Sequence, residues 1–161
     1  TMSFDAQLEL IYSDKATEDL GVDYWVVNKE FTCVLDTAKD QYVIIPQGFL
    51  TDGASVPRMF WSFFPSWGKY GQAATVHDFL CEYLIISDNG RIRNITREEC
   101  DKYFLKLMIE MKISKVKRTL MYQGVSMFRK FAKVKTPSIT AKKVALENLL
   151  LDHYNKHGVW L

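Results

Sequence analysis

Residues 70–84 read Tyr70-Gly-Gln-Ala-Ala-Thr-Val-His77-Asp78-Phe-Leu-Cys81-Glu-Tyr-Leu84. Tyr70, Ala73, Ala74, His77, Leu80, Cys81 and Leu84 recur at three- and four-residue intervals, which places them on one side of an α-helix. Before this stretch the pattern is different. Ala6–Tyr12, Tyr24–Asn28, Phe31–Leu35 and Tyr42–Ile45 are short, rich in β-branched and aromatic residues, and separated by polar or glycine-containing segments, so they predict strands. After it the helical period continues. Asp88-Asn89-Gly90 marks a turn, and Thr96 with Glu99 forms a capping box that opens a helix to about Met111. Ser114 caps a helix to about Phe131, Pro137 interrupts the chain, and Thr140 caps a last helix to about Asn155. The expected fold is α+β: N-terminal antiparallel strands over residues 2–50, then four or five helices over residues 57–157, in a single domain spanning residues 2–161.

The bulk composition suits that reading. The chain has 161 residues, of which 48% are hydrophobic and 25% charged. These values exclude disordered and low-complexity classes. No apolar run reaches the roughly 18–20 residues that span a bilayer, and no signal peptide precedes the first strand, so a soluble intracellular protein is expected. The three cysteines, Cys33, Cys81 and Cys100, are too few for a disulfide framework and lack structural-zinc spacing. They are expected as small buried apolar groups.

The net charge of +2 conceals a division. Residues 112–143 carry ten Lys and Arg and no Asp or Glu, leaving eleven basic against nineteen acidic residues elsewhere, a balance of −8. Lys115, Lys117, Arg118, Arg129 and Lys130 are candidate anion-binding residues for phospholipid headgroups or nucleic acid. The competing reading is a set of solvated helix faces opposing the acidic part of the same chain.

The densest chemistry lies in residues 47–57, Gln-Gly-Phe-Leu-Thr-Asp-Gly-Ala-Ser-Val-Pro, and in the helix bearing His77. Asp52-Gly53 is a turn dipeptide, and Ser55 can cap a following helix that has Pro57 in its first turn. Thr51, Gly53 and Ser55 are therefore candidate loop residues. Asp101 shares its helix face with Phe104, Leu105 and Met108, which turns it inward, toward His77 if the two helices pack together. A buried carboxylate needs a partner, and an Asp bonded to one imidazole nitrogen leaves the other as a general base. Asp78, with Asp52, would then be available to a hard cation such as calcium.

Gly48-x-x-Thr51-Asp52-Gly53-Ala54-x-x-Pro57, then Trp61, then His77-Asp78, resembles the signature of an uncharacterised family encoded largely by bacteriophages and prophages. The likeness covers about residues 40–130. It implies a phage-encoded protein in the cytoplasm of the infected bacterium, or one associated with the virion. A shorter resemblance, through Asp52-Gly53-Ala54-Ser55, His77-Asp78-Phe79-Leu80-Cys81 and Cys100-Asp101, is to phospholipase A2 enzymes. It implies His77 as general base, Asp101 as the residue orienting it and Asp78 as a calcium ligand. That family's paired cysteines and Gly-x-Gly calcium loop are absent.

Three functions follow as expectations. One is a phospholipase-A2-like, calcium-dependent hydrolase of an anionic lipid ester. Another is a non-enzymatic phage protein that binds a host or virion component through Trp61 or Trp67, in defence evasion or assembly. The third is a nucleic-acid-binding protein or nuclease in which His77, Asp78, Asp101 and Asp52 gather a metal.

Overall fold

The fold is described from a computed structural model over residues 2–52, 68–132 and 135–161. Its elements run β1 (Ser3–Phe4), β2 (Leu10–Tyr12), α1 (Asp14–Leu20), β3 (Trp25–Val27), β4 (Phe31–Asp36), β5 (Gln41–Ile45) and β6 (Leu50–Thr51). There follow α2 (Gly68–Tyr83), β7 (Ile85–Asp88), β8 (Arg91–Asn94), α3 (Arg97–Glu110), α4 (Lys115–Ala132) and α5 (Ala141–His157). The α+β expectation holds, with five helices among the described residues.

Among the described residues two antiparallel sheets form. One has the order β1-β4-β5-β7-β8 and the other β2-β3-β6. Within β4 the alternation is clean: Phe31, Cys33 and Leu35 point inward, with Phe31 opposite Ile45 and Cys33 opposite Val43 on β5. Their side chains meet α2 and α3 in the main core, around Phe104, Leu107 and Met108. A second cluster joins Ala16 of α1, Val26 of β3, Leu50 of β6 and Leu146 and Leu150 of α5.

Several features differ from the sequence reading: the first expected strand, Ala6–Tyr12, is confined to Leu10–Tyr12, and β1 and β6 are additional. Ser13 caps a short helix, α1, where only coil between strands was expected; the Ala16 amide donates to its hydroxyl at 3.1 Å. The turn at residues 88–90 closes a β-hairpin, β7–β8, between two helices. Asn89 and Gly90 both take positive φ (50° and 80°), the backbone that a tight two-residue hairpin demands and that Asn-Gly tolerates. Asp88 accepts bonds from Gln41 and Arg93, and Tyr103 of α3 donates to Gln41, which ties α3 to the sheet.

The helix starts behave as the local sequence dictates. Thr96 accepts from the Glu99 amide at 3.1 Å while Glu99 accepts from the Thr96 amide at 3.3 Å. Thr140 accepts from the Lys143 amide, and Ser114 from the Lys117 amide. The cysteines are free and buried, as expected of small apolar groups.

A candidate His/Asp active site

Helix α2 is buried on nearly all sides: Ala73, Ala74, Val76 and Leu80 have no exposed surface. His77 therefore sits inside the protein, 4% exposed. Its ring stacks on Phe104 of α3, with centroids 4.7 Å apart and planes at 27°. Such packing fixes the plane of the imidazole. Asp101, one residue after Cys100 on α3, is 3% exposed and places Oδ1 at 2.7 Å from His77 Nε2. The spacing that turned Asp101 toward Phe104 and Met108 has brought it to His77, since α2 and α3 pack directly against one another.

The other carboxylate oxygen faces a third helix. Arg129 of α4 places Nε at 2.9 Å from Asp101 Oδ2, and its Nη1 lies 3.6 Å from Glu98. Arg129 was expected among the anion-binding residues. Its guanidinium is instead turned inward, because a buried carboxylate draws the nearest cation that can reach it. The result is a chain of three side chains, His77–Asp101–Arg129, crossing α2, α3 and α4.

Cys81, one turn after His77, brings Sγ to 3.5 Å from Nε2 and 4.0 Å from Nδ1. Its contact with Cys100, together with burial, pushes the Cys81 thiol well above its usual range, so it stays neutral. For His77, burial disfavours the charged ring, but the Cys81 sulfur and the Asp101 carboxylate more than offset it and hold the imidazole above its ordinary value. With Cys81 neutral, Asp101 is the lasting source of that rise.

These groups line a cavity of about 370 Å³. Its wall includes His77, Cys81, Asp101 and Arg129 together with Asp52, Asp78, Glu82 and Lys143. Thr51 lies in β6 rather than in a loop, opposite Trp25 on β3, and its hydroxyl donates to Asp78 Oδ2. The Lys143 ammonium pairs with Glu82, lies 3.7 Å from Glu147 and sits 4.3 Å from the centre of the Phe49 ring. Glu147 also accepts from the Leu50 amide at 2.7 Å. Burial raises the Glu82 carboxyl to about 7, against the opposing pull of Lys143. Sequence reasoning missed Glu82, Lys143 and Glu147; the four-residue spacing of the last two on α5 was the available signal.

Among the described residues, no three His, Cys, Asp or Glu side chains converge closely enough to hold a metal ion. Asp52 and Asp78 share the cavity wall, but calcium takes six to eight oxygens. The described residues alone do not make that shell. Gly53, Ser55, Pro57, Trp61 and Trp67, singled out from the sequence, lie outside the described residues, as does Lys133 of the basic stretch. Lys115 and Lys130 are exposed on α4, Lys117 is half-buried, and Arg118 donates to the Ile113 carbonyl at 3.0 Å.

Residues 25–125 match the family described as "Protein of unknown function (DUF1353)". The chain belongs to DUF1353. No curated protein and no solved structure matches it. The part shared with DUF1353 holds His77, Asp78, Cys81 and Asp101, whereas Arg129 and Lys143 lie beyond it. No described helix is long and apolar enough to cross a membrane.

Proposed function

We propose that the chain is a hydrolase of acyl esters, with an anionic lipid as its substrate class and His77 as the general base. The observation that carries this reading is the 2.7 Å contact between His77 and Asp101 in the wall of a cavity large enough for part of an acyl chain or headgroup. Asp101 Oδ1 accepts a hydrogen bond from Nε2–H and so leaves the Nδ1 lone pair as the base. Nδ1 takes a proton from a water molecule as the water oxygen adds to the ester carbonyl. The tetrahedral adduct collapses, the carbon–oxygen ester bond breaks, and the departing alkoxide recovers the proton from His77. A carboxylic acid and an alcohol leave. Arg129 positions Asp101.

The short phospholipase A2 resemblance supports the same roles. Asp78 and Asp52 would supply two carboxylates to a calcium ion, so assays with and without added calcium form part of the test. The wider phage resemblance would put this activity in an infected bacterial cell. Purified protein should cleave acyl esters, and His77→Gln should abolish cleavage while leaving the melting temperature within a few degrees.

A second reading rests on a specific observation: His77 and Asp101 are both at most 4% exposed, and Arg129 completes their pairing. On that reading the three groups are a clasp that sets the packing of α2, α3 and α4 in a non-enzymatic binding protein. A folded chain that turns over no acyl ester, with or without calcium, would select it.

A further inference from the structure

Helix α4 has apolar residues on two sides. Met121 and Val125 are buried against the core. Val116, Met127 and Phe131 lie on another side and are 71%, 56% and 80% exposed, and Phe128, three residues from both Val125 and Phe131, stands between the two sides at 62%. A helix on a protein surface normally presents polar groups outward. Large apolar side chains gathered on one exposed face mark a surface made to meet something else.

The charges of the same helix and its flanks say what. Lys115 and Lys130 of α4, and Lys112 and Lys135 just before and after it, are all exposed, and no acidic residue occurs anywhere in residues 112–143. Exposed aromatic and aliphatic side chains on a helix whose charges are all cationic suit the boundary between headgroups and acyl chains of an anionic bilayer. A nucleic acid would use the lysines and could stack on Phe131, but Val116 and Met127 offer nothing to a phosphate backbone. Phe128 connects this face to the site, since it both projects to solvent and lines the cavity that holds His77.

We propose that the outer face of α4 docks on an anionic lipid bilayer, with Phe131, Met127 and Val116 entering the interface and the cavity mouth brought down beside Phe128. The docking stands on this surface alone; that the bilayer also delivers substrate rests on the hydrolase reading above.

Sedimentation of the full chain with vesicles tests it. Vesicles of phosphatidylcholine mixed with phosphatidylglycerol should bind at least about tenfold more protein than phosphatidylcholine alone, because the lysines need anionic headgroups. The double variant Met127→Ser/Phe131→Ser should lose about tenfold or more of that binding with an unchanged melting temperature, since both side chains are already exposed. His77→Gln should bind as the unaltered chain does, so loss of activity and loss of docking are read separately. Equal binding to both vesicle types, or none, would overturn the proposal. So would binding that responds to salt but not to Met127 and Phe131, or a duplex DNA whose retention depends on Phe131 while vesicles are not bound.

Discussion

His77 Nε2 and Asp101 Oδ1 sit 2.7 Å apart between α2 and α3, both at most 4% exposed and both in the wall of the cavity. Phe104 stacks on the imidazole, and the Arg129 guanidinium lies 2.9 Å from the far oxygen of the carboxylate as an ion pair without hydrogen-bond geometry. The chemistry proposed for the site depends on that pairing, and so does much of the cohesion between three helices.

Asp101→Asn should therefore destabilise the fold by about 3–5 kcal/mol, because it leaves the Arg129 guanidinium without its buried counter-charge. Arg129→Met should cost a comparable amount. The double variant should lose less than the two single losses together, by about 1 kcal/mol or more, since the groups touch. Urea unfolding of the four proteins measures this cycle. Additive losses would mean that the 2.9 Å approach contributes no coupling.

The activity should rise with pH through a midpoint above the ordinary histidine value of about 6.5. Burial pulls the His77 ring down, but its side-chain contacts raise it further, and with Cys81 neutral the lasting source is the Asp101 carboxylate. Below that raised value the ring carries both protons and Nδ1 has no lone pair; above it the base is present. A profile of kcat/KM against pH reads the midpoint directly, and one lying below about 6 would contradict the pairing seen here.

Stability should show a separate dependence centred on Glu82. Its folded carboxyl is raised to about 7 from an ordinary value of 4.5, chiefly by burial. The folded state thus binds the proton more tightly than the unfolded chain. That contribution is full below pH 4.5 and is lost as pH rises through about 7. Glu82→Gln should flatten this part of the stability curve, as followed by thermal melting between those limits. An unchanged slope would place its origin elsewhere.

Thr96→Ala should cost about 1 kcal/mol, because it removes the hydroxyl that accepts from the Glu99 amide at the start of α3. Chemical denaturation measures it. A loss well beyond this would show that the cap also fixes the Cys100–Asp101 turn of the helix.

The helices were legible in the sequence where the cause of each was local. Thr96 with Glu99, Ser114 and Thr140 start helices through bonds made within four residues, and all three start where the sequence reading put them. The inward turn of Asp101 was equally readable, since Phe104 and Met108 on the same side bury it. What escaped was decided at long range. Ile85–Asp88 continues an apolar run after α2, and only pairing with β5 and β8 makes it a strand. Helix α1 has one buried residue, Ala16, too little to give a period. Arg129 looked like its basic neighbours, because charge type does not say which way a side chain turns until Asp101 is placed beside it. Lys143 and Glu147 likewise gain their meaning from Glu82 on α2.

On the proposed reading His77 and Asp101 form a working base in the cavity wall. The most direct measurement is turnover of an acyl ester, soluble or presented in anionic vesicles, by the unaltered chain and by His77→Gln, each with and without calcium. The unaltered chain should cleave the ester, and His77→Gln, still cooperatively folded and melting within a few degrees of it, should lose about a hundredfold or more. Cleavage undiminished in His77→Gln, or none by the folded unaltered chain on any such ester, would contradict that reading.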